Sequence, residues 1–377
     1  MHRPAIAVRL LLMASVLLAA AAFGTDHRDP PKQSTPGLDW ERSEPAAEGV
    51  DPLVLQVAIE RLDQRLAEVG GVNELLVVRH GRVIHQGPSV DRKHNVWSIT
   101  KSVSASLLGL LIADGKLTLD QPASDWAHGL ALLYPKVTVR HLATMTSGYD
   151  AEGGTYGDDD PLDGSLTPLS PAAPVAEPGA RFAYSDDAQR MLGLVLTLAA
   201  GEPLSNLFRR SIADPIGLRD WTWDTVNCDM SGVVVNDTAA HLYLDARDVA
   251  RLGLLWLRAG RWGEKQILPA AWVAQATENQ VPLSLQPNHA SRRQAYLDGR
   301  GVYGFGWWVN GGDGTWSAWP GAPPRTFCAA GLNHNKLFVV PEWDLLVVRL
   351  GVSGDVENDR EVWGEFLGTL DQGILTR

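Results

Sequence analysis

The chain has 377 residues, 45% of them hydrophobic, which supports a large buried core and excludes a disordered or fibrous protein. Its 33 basic and 44 acidic residues leave a net charge of −11, a poor match to nucleic acid or an anionic membrane. No Cys/His spacing typical of zinc occurs, and no cofactor motif is present.

Arg3 and Arg9 lead into an unbroken apolar and small-residue run over 10–23. The pattern predicts a secretory signal peptide at residues 1–24; a membrane anchor is the alternative, although the run is short for a span of about 20 residues. No other stretch is long and apolar enough to cross a bilayer, so the mature chain is read as exported, periplasmic or extracellular, without a membrane span. Export permits a disulfide between Cys228 and Cys328, with two buried thiols as the alternative. The Asn236-Asp237-Thr238 sequon reads as accidental.

Residues 25–50, with Asp29-Pro30-Pro31 and Glu44-Pro45, read as a linker that wraps the surface. Asp51-Pro52 opens a helix marked by Leu55, Ile59, Leu62 and Leu66 and ended by Gly70-Gly71. Residues 74–79 and 83–84, around His80-Gly81, predict a hairpin. Residues 98–113 are apolar nearly all round and predict a buried central helix. Further helices are predicted at 139–146, 187–200, 205–212 and 246–259. Between Gly148 and Gly179 an acidic loop containing Asp158-Asp159-Asp160 reads as a solvated lid or rim rather than a cation site. Alternation of Tyr303, Phe305, Trp307 and Val309 with Gly304, Gly306 and Trp308 predicts a strand with its large residues on one face. Strands at 337–340 and 345–350 and a helix at 359–370 close the chain.

Strands at both ends and helices between them predict an α+β fold, an antiparallel sheet flanked by helices with an inserted, mostly helical lobe. Residues 51–377 then form one domain, with a sheet lobe at 51–97 and 300–377, a helical lobe at 98–299, and a cleft between them.

Ser98 and Lys101 stand three apart in a first helical turn and therefore share a face. A serine hydroxyl needs a base within reach, and desolvation lets a buried lysine amine serve. A capping serine with a solvated lysine is the plainer reading; the apolar helix that follows argues against it. Tyr184-Ser185-Asp186, before another helix, offers a hydroxyl for passing a proton to a leaving group.

With their surroundings these segments resemble the serine beta-lactamase and penicillin-binding family, nearest its class C and esterase branch. The likeness runs from about Val72 to Gly351 and includes Ser98-Ile99-Thr100-Lys101, Tyr184-Ser185-Asp186, Pro215-Ile216-Gly217-Leu218 and the helix from Asp245 to Gly253. The resemblance implies a beta-lactamase/transpeptidase-like fold, Ser98 as acylated nucleophile, and Lys101 and Tyr184 as general base and acid. Asp186 stands where many members have asparagine, which tells against amide recognition there. The family's Lys-Thr-Gly is absent; Ala329-Ala330-Gly331 stands in its place, similar to esterases and nylon-oligomer hydrolases. Gly331 is then expected to admit substrate close to the strand, and the Leu332 N–H to join that of Ser98 in an oxyanion hole. No cation or hydroxyl is left in that motif, so esters are expected to be cleaved faster than lactams; whether Arg325 or Lys336 faces the cleft stays open.

His141 reads as structural, His241 is left open, and His334 is a candidate for the pocket wall. Trp97, Trp307, Trp308, Trp316 and Trp319 lie in segments near the predicted cleft. The expected substrate is a small ester, amide or peptide. An esterase or amidase leads, a D-amino-acid peptidase or true beta-lactamase follows, and a non-catalytic binding module of the same fold is the alternative of another class.

Overall fold

A computed structural model describes residues 33–132, 134–148, 174, 176–226, 232–286, 297–311, 317–353 and 359–375. Residues 1–24, read above as a signal peptide, most of the acidic loop, Cys228 and Trp316 lie outside the described residues.

The chain's two ends meet in one sheet. Strands β1 (Glu74–Arg79) and β2 (Arg82–Gln86) form the predicted hairpin. Its two turn residues, His80 and Gly81, both have positive φ (51° and 79°), the backbone that a two-residue hairpin turn requires. Strand β3 (His94–Asn95) pairs with β4 (Leu242–Leu244) outside this sheet. From the far end come β5 (Trp308–Val309), β6 (Phe327–Gly331), β7 (Asn335–Val340) and β8 (Leu345–Leu350). The order β5-β6-β7-β8-β1-β2 is antiparallel throughout, with β8 pairing to β1 from Glu74↔Leu350 to Arg79↔Leu345.

Every residue of β1, β7 and β8 is buried, because both sheet faces are covered. Alternation divides these side chains between two cores. Leu76, Val78, Leu337 and Val339 join the core beneath the helical region; Leu75, Val77, Phe338 and Val340 join the other. Helices α1 (Pro52–Ala67) and α5 (Asp359–Asp371) pack together on that second face, with Leu62 and Leu66 among the buried residues beside Trp363 and Leu367. Helix α4 (Ala246–Leu257) lies across β7, β8 and β1 on the first face. Gly253 makes this approach possible, since a Cβ there would stand 2.7 Å from Leu337 Cδ1.

Helices α2 (Ile99–Ala113) and α3 (Asp186–Ala200) pack against each other above the sheet, and α2 also reaches β6 and β7. Residues 33–50 wrap the sheet as a strap. Ser43 N donates to Val83 O (2.9 Å) and Val83 N to Glu41 O (2.9 Å), which covers the outer edge of β2.

Two local expectations are corrected. Residues 303–309 do not form one strand: Gly304 N donates to Trp307 O (2.8 Å), and Tyr303 bridges back to Trp308. The physical cause is Gly306 (φ 70°), pressed so closely on α2 that a Cβ would sit 2.6 Å from Lys101 O. The large residues therefore do not share a face. Tyr303 joins Phe182 and Tyr184, whereas Phe305, Trp307 and Val309 enter the main core. The second correction is at 205–212, where α-helix Leu204–Phe208 widens into a π-turn at Arg209–Ala213.

Asn236 of the sequon is 1% exposed, donates to Trp223 O and accepts from Ser205 N, so it is structural. Cys328 is a buried free thiol whose pKa burial pushes well up. Among the described residues no single helix is long and apolar enough to cross a membrane.

Helix α4 also carries a pH-dependent strain on the fold. Burial, reinforced by Asp245, raises the Asp248 carboxyl to about 7. The folded state thus holds a proton that the unfolded chain releases near pH ~4, and stability falls as pH rises between those values. Asp248→Asn is expected to gain on the natural chain at pH 8 relative to pH 5 in urea-unfolding midpoints. An equal difference at the two pH values contradicts this account.

Candidate active site

The segment before Ser98 is bent and pinned. Trp97 has φ 51°, a conformation unfavourable for a bulky residue. Val96 N donates to Leu242 O (2.9 Å) and Trp97 N to Asn95 Oδ1 (2.8 Å), which holds the bend. Ser98 then starts α2 with its side chain making no capping bond. Its Oγ instead accepts from Lys101 Nζ at 2.8 Å.

Lys101 is 1% exposed, and Nζ uses three acceptors: Ser98 Oγ, Asp186 Oδ1 at 2.6 Å and Ala239 O at 2.8 Å. Its pKa is lowered, first by burial and also by Arg190; the Asp186 and Asp237 carboxylates act against the shift. Nζ also lies 5.0 Å from the centre of the Tyr184 ring. Tyr184 stacks on Trp308 (6.0 Å, 17°) and meets Tyr303 edge-on. The bond from Ala188 N to Ser185 Oγ (3.1 Å) caps α3, fixing where Tyr184 and Asp186 emerge. Asp186 therefore meets the lysine directly.

Strand β6 ends beside this group. A Cβ on Gly331 would stand 2.3 Å from Val96 O and 3.2 Å from Trp97 Cβ. Glycine is thus required by the packing of the strand on the nucleophile segment, a different reason from the substrate approach expected from sequence. Leu332, 41% exposed, follows at the rim. A cavity of about 310 Å³ opens here, with Ser98, Tyr184, Trp308, Trp319, Leu332 and Lys336 in its wall.

The remaining candidates separate by role. His141 completes a capping box with Thr138. His241 Nδ1 lies 2.7 Å from Asp237 Oδ2, and its ring meets that of Trp97 at 5.9 Å. His334 is in the cavity wall, stacks on Trp363 and stands 2.8 Å from Asp359. Trp307 is buried against Trp256 and Phe327. Arg325 pairs with Glu342 at the surface, whereas Lys336 reaches the cavity. The adjacent strand thereby places a cation in the cavity wall, paired with Asp359, where Ala329-Ala330-Gly331 offers none.

Asp237 is the residue that sequence reasoning missed. It is 1% exposed, receives both Arg190 Nε and Nη2 at 3.2 Å, and accepts from the N–H groups of Ala239 (3.0 Å) and Ala240 (3.3 Å). Burial opposes its charge, but His241 and Arg190 outweigh that, and its pKa is lowered. Asp237 shapes the turn that presents Ala239 O to Lys101. Its only sequence signal was membership of the sequon.

The Beta-lactamase family model matches residues 58–362. Esterase EstB of Burkholderia gladioli is 31% identical over 216 residues, 47% of this chain and 54% of that protein. The D-alanyl-D-alanine-carboxypeptidase/endopeptidase AmpH of Escherichia coli (strain K12) is 30% identical over 146 residues, 36% of this chain and 38% of that protein. The matches thus span about half of EstB and less than half of AmpH. A Bacillus anthracis structure assigned as a 6-aminohexanoate-dimer hydrolase superposes with a TM-score of 0.64 at 19% identity, covering 82% of this chain and 81% of that one. This last likeness is one of fold: the α+β, beta-lactamase/transpeptidase-like architecture.

Asp237→Ala is expected to cost about 3–5 kcal/mol in chemical denaturation, because it leaves the Arg190 guanidinium buried without its bidentate partner. A loss below about 1 kcal/mol would mean that Asp187, 3.6 Å from Arg190, takes over the pairing.

Proposed function

The chain belongs to the beta-lactamase family, and on that premise we propose that it is a serine hydrolase acting on esters or amides through an acyl-enzyme at Ser98. The observation that carries this reading is the 2.8 Å contact between Ser98 Oγ and a Lys101 amine that is buried and lowered in pKa.

In its neutral form Lys101 takes the Ser98 proton as Oγ attacks the substrate carbonyl. Asp186 and Ala239 O then hold the resulting ammonium. Tyr184 delivers a proton to the departing oxygen or nitrogen. The N–H groups of Ser98 and Leu332 donate to no acceptor among the described residues and receive the developing oxyanion. Water then releases the acyl group by the reverse proton path. Trp308, Trp319 and Leu332 make an apolar wall suited to a small organic acyl group.

The similarity to EstB favours ester cleavage. A D-amino-acid peptidase is the second reading, favoured by the similarity to AmpH. The apolar run after Arg3 and Arg9 supports export to the periplasm or the extracellular space.

Fluorophosphonate is expected to label Ser98, and Ser98→Ala to abolish both labelling and ester turnover. The variant should fold normally, since the Ser98 side chain makes no capping bond. Labelling that persists on another residue refutes the assignment.

Asp186→Asn tests the base. The carboxylate favours the charged lysine, so its removal lowers the Lys101 pKa further. The acid limb of kcat/KM is then expected to move to lower pH. A shift to higher pH, or none, excludes Lys101 as the group whose deprotonation governs acylation.

A further inference from the structure

Two residues beside the site hold a backbone conformation that side chains disfavour, and one oxygen fixes both. Trp97 and His241 have φ of 51° and 61°. This is the left-handed region, which a bulky residue keeps only where its surroundings enforce it. Trp97 N donates to Asn95 Oδ1 at 2.8 Å, and His241 N donates to the same oxygen at 3.1 Å. Two N–H groups converging on one atom also assign the amide's orientation, since only its oxygen accepts. The rings of Trp97 and His241 meet at 5.9 Å.

Backbone pairing does not reach this far. Strand β3 meets β4 at Asn95↔Tyr243, and Val96 N donates to Leu242 O at 2.9 Å. The next N–H on each side, that of Trp97 and that of His241, finds no backbone acceptor among the described residues, and Asn95 Oδ1 takes both. Asn95 is itself anchored. Its carbonyl accepts from Asn335 Nδ2 at 3.3 Å, and Asn335, fully buried in β7, accepts from Gly351 N at 2.8 Å. The preceding His94 places Nε2 2.6 Å from Glu74 Oε2 of β1.

Each left-handed residue adjoins a working atom. The planar peptide after Trp97 carries the Ser98 N–H, so the Trp97 dihedrals set where that donor points. Two residues before His241 stands Ala239, whose carbonyl accepts from Lys101 Nζ at 2.8 Å. Asn95 lies outside the cavity wall, so it acts through these neighbours and not on substrate. Resting on the acyl-enzyme reading, we propose that Asn95 is a positioning residue for acylation. Its side-chain oxygen holds Trp97 and His241 in the left-handed conformation, which aims the Ser98 N–H at the oxyanion and the Ala239 carbonyl at Lys101.

p-Nitrophenyl butyrate and ethyl butyrate test this. Asn95→Ala is expected to lower kcat/KM about 100-fold on both, with KM within about threefold, because a misdirected oxyanion donor weakens the transition state and spares substrate binding. Asn95→Asp keeps an oxygen for both N–H groups and should stay within about tenfold of the natural chain at its pH plateau. Glycine adopts positive φ without penalty, so Asn95→Ala should cost less in a Trp97→Gly background than in the natural chain. A loss below about threefold in Asn95→Ala overturns the proposal. So does a loss confined to KM, a loss undiminished by Trp97→Gly, or one larger on the ethyl ester, which places the defect at leaving-group protonation. If Asn95→Ala does not fold, Asn95→Asp decides: retained activity supports the proposal, and a loss of about 100-fold in the folded variant overturns it. Failure of the hydrolase reading shows separately, as absence of fluorophosphonate labelling of the natural chain. Amide hydrogen exchange then still reads the holding role: faster exchange at Trp97 and His241 in Asn95→Ala supports it, and unchanged exchange overturns it.

Discussion

Removing the Lys101 ammonium from water is the constraint around which the site is built. A buried ammonium is tolerated only when each proton finds an acceptor. The three acceptors come from three places in the chain: Ser98 one turn earlier, Asp186 at the start of α3, and Ala239 in the turn before β4. Each is itself secured. Ser185 caps α3, Asp237 binds the N–H of Ala239, and Gly306 seats its segment against the Lys101 carbonyl. Loss of any one anchor leaves a proton of the lysine unspent in a nearly dry environment. These contacts hold α2, α3 and the turn before β4 in the arrangement that places the Ser98 hydroxyl beside the amine.

The sheet contributes an edge as well as a platform. Strand β6 pairs with β5 at Trp308↔Cys328 and Val309↔Phe327, and its last residues have no partner strand on that side among the described residues. The open stretch runs past Ala330 and Gly331 to Leu332, along one wall of the cavity. Gly331 lets this edge lie against the Val96 carbonyl and the Trp97 side chain, next to the residue that carries the candidate nucleophile. Asn95 ties the arrangement together: its Oδ1 accepts from Trp97 N and His241 N, and its carbonyl accepts from Asn335 of β7.

What was legible in the sequence follows from which interactions are local. The hairpin at His80-Gly81, the central helix from Ser98 and the helix that follows Tyr184-Ser185-Asp186 are written in neighbouring residues, and the structure has them. That strands from the two ends of the chain share one antiparallel sheet was expected; which strands join them, β8 with β1, comes from the structure. Tyr303 to Val309 misled because its alternation of large residues with glycine is a strand pattern, whereas Gly306 serves a contact with α2 distant in sequence. Asp237 was invisible for a similar reason. Its partners Arg190 and His241 meet only after folding, and an aspartate inside a chance sequon carries no local mark. Lys336 stood just before the strand read at 337–340, and its place in that strand and its direction depended on a register that only the fold supplies. The standing of Cys228 and the acidic loop lies outside the described residues.

The aspartate at position 186 changes the balance of the lysine rather than merely filling a place. An amide in that position would accept a hydrogen bond from the amine while favouring its charge far less than a carboxylate does. A carboxylate at 2.6 Å favours the ammonium strongly, which alone would keep Lys101 protonated and unable to take the Ser98 proton. Two features oppose it. Burial penalises the charge, and Arg190 places a guanidinium near enough to act in the same direction. Asp237 then prevents Arg190 from being an uncompensated buried cation. The result is an amine that is lowered in pKa overall yet has a carboxylate waiting when it becomes charged. In the proposed mechanism, ground state and transition state draw on different partners. Burial and Arg190 favour the neutral amine before attack; Asp186 and Ala239 O favour the ammonium as the proton arrives.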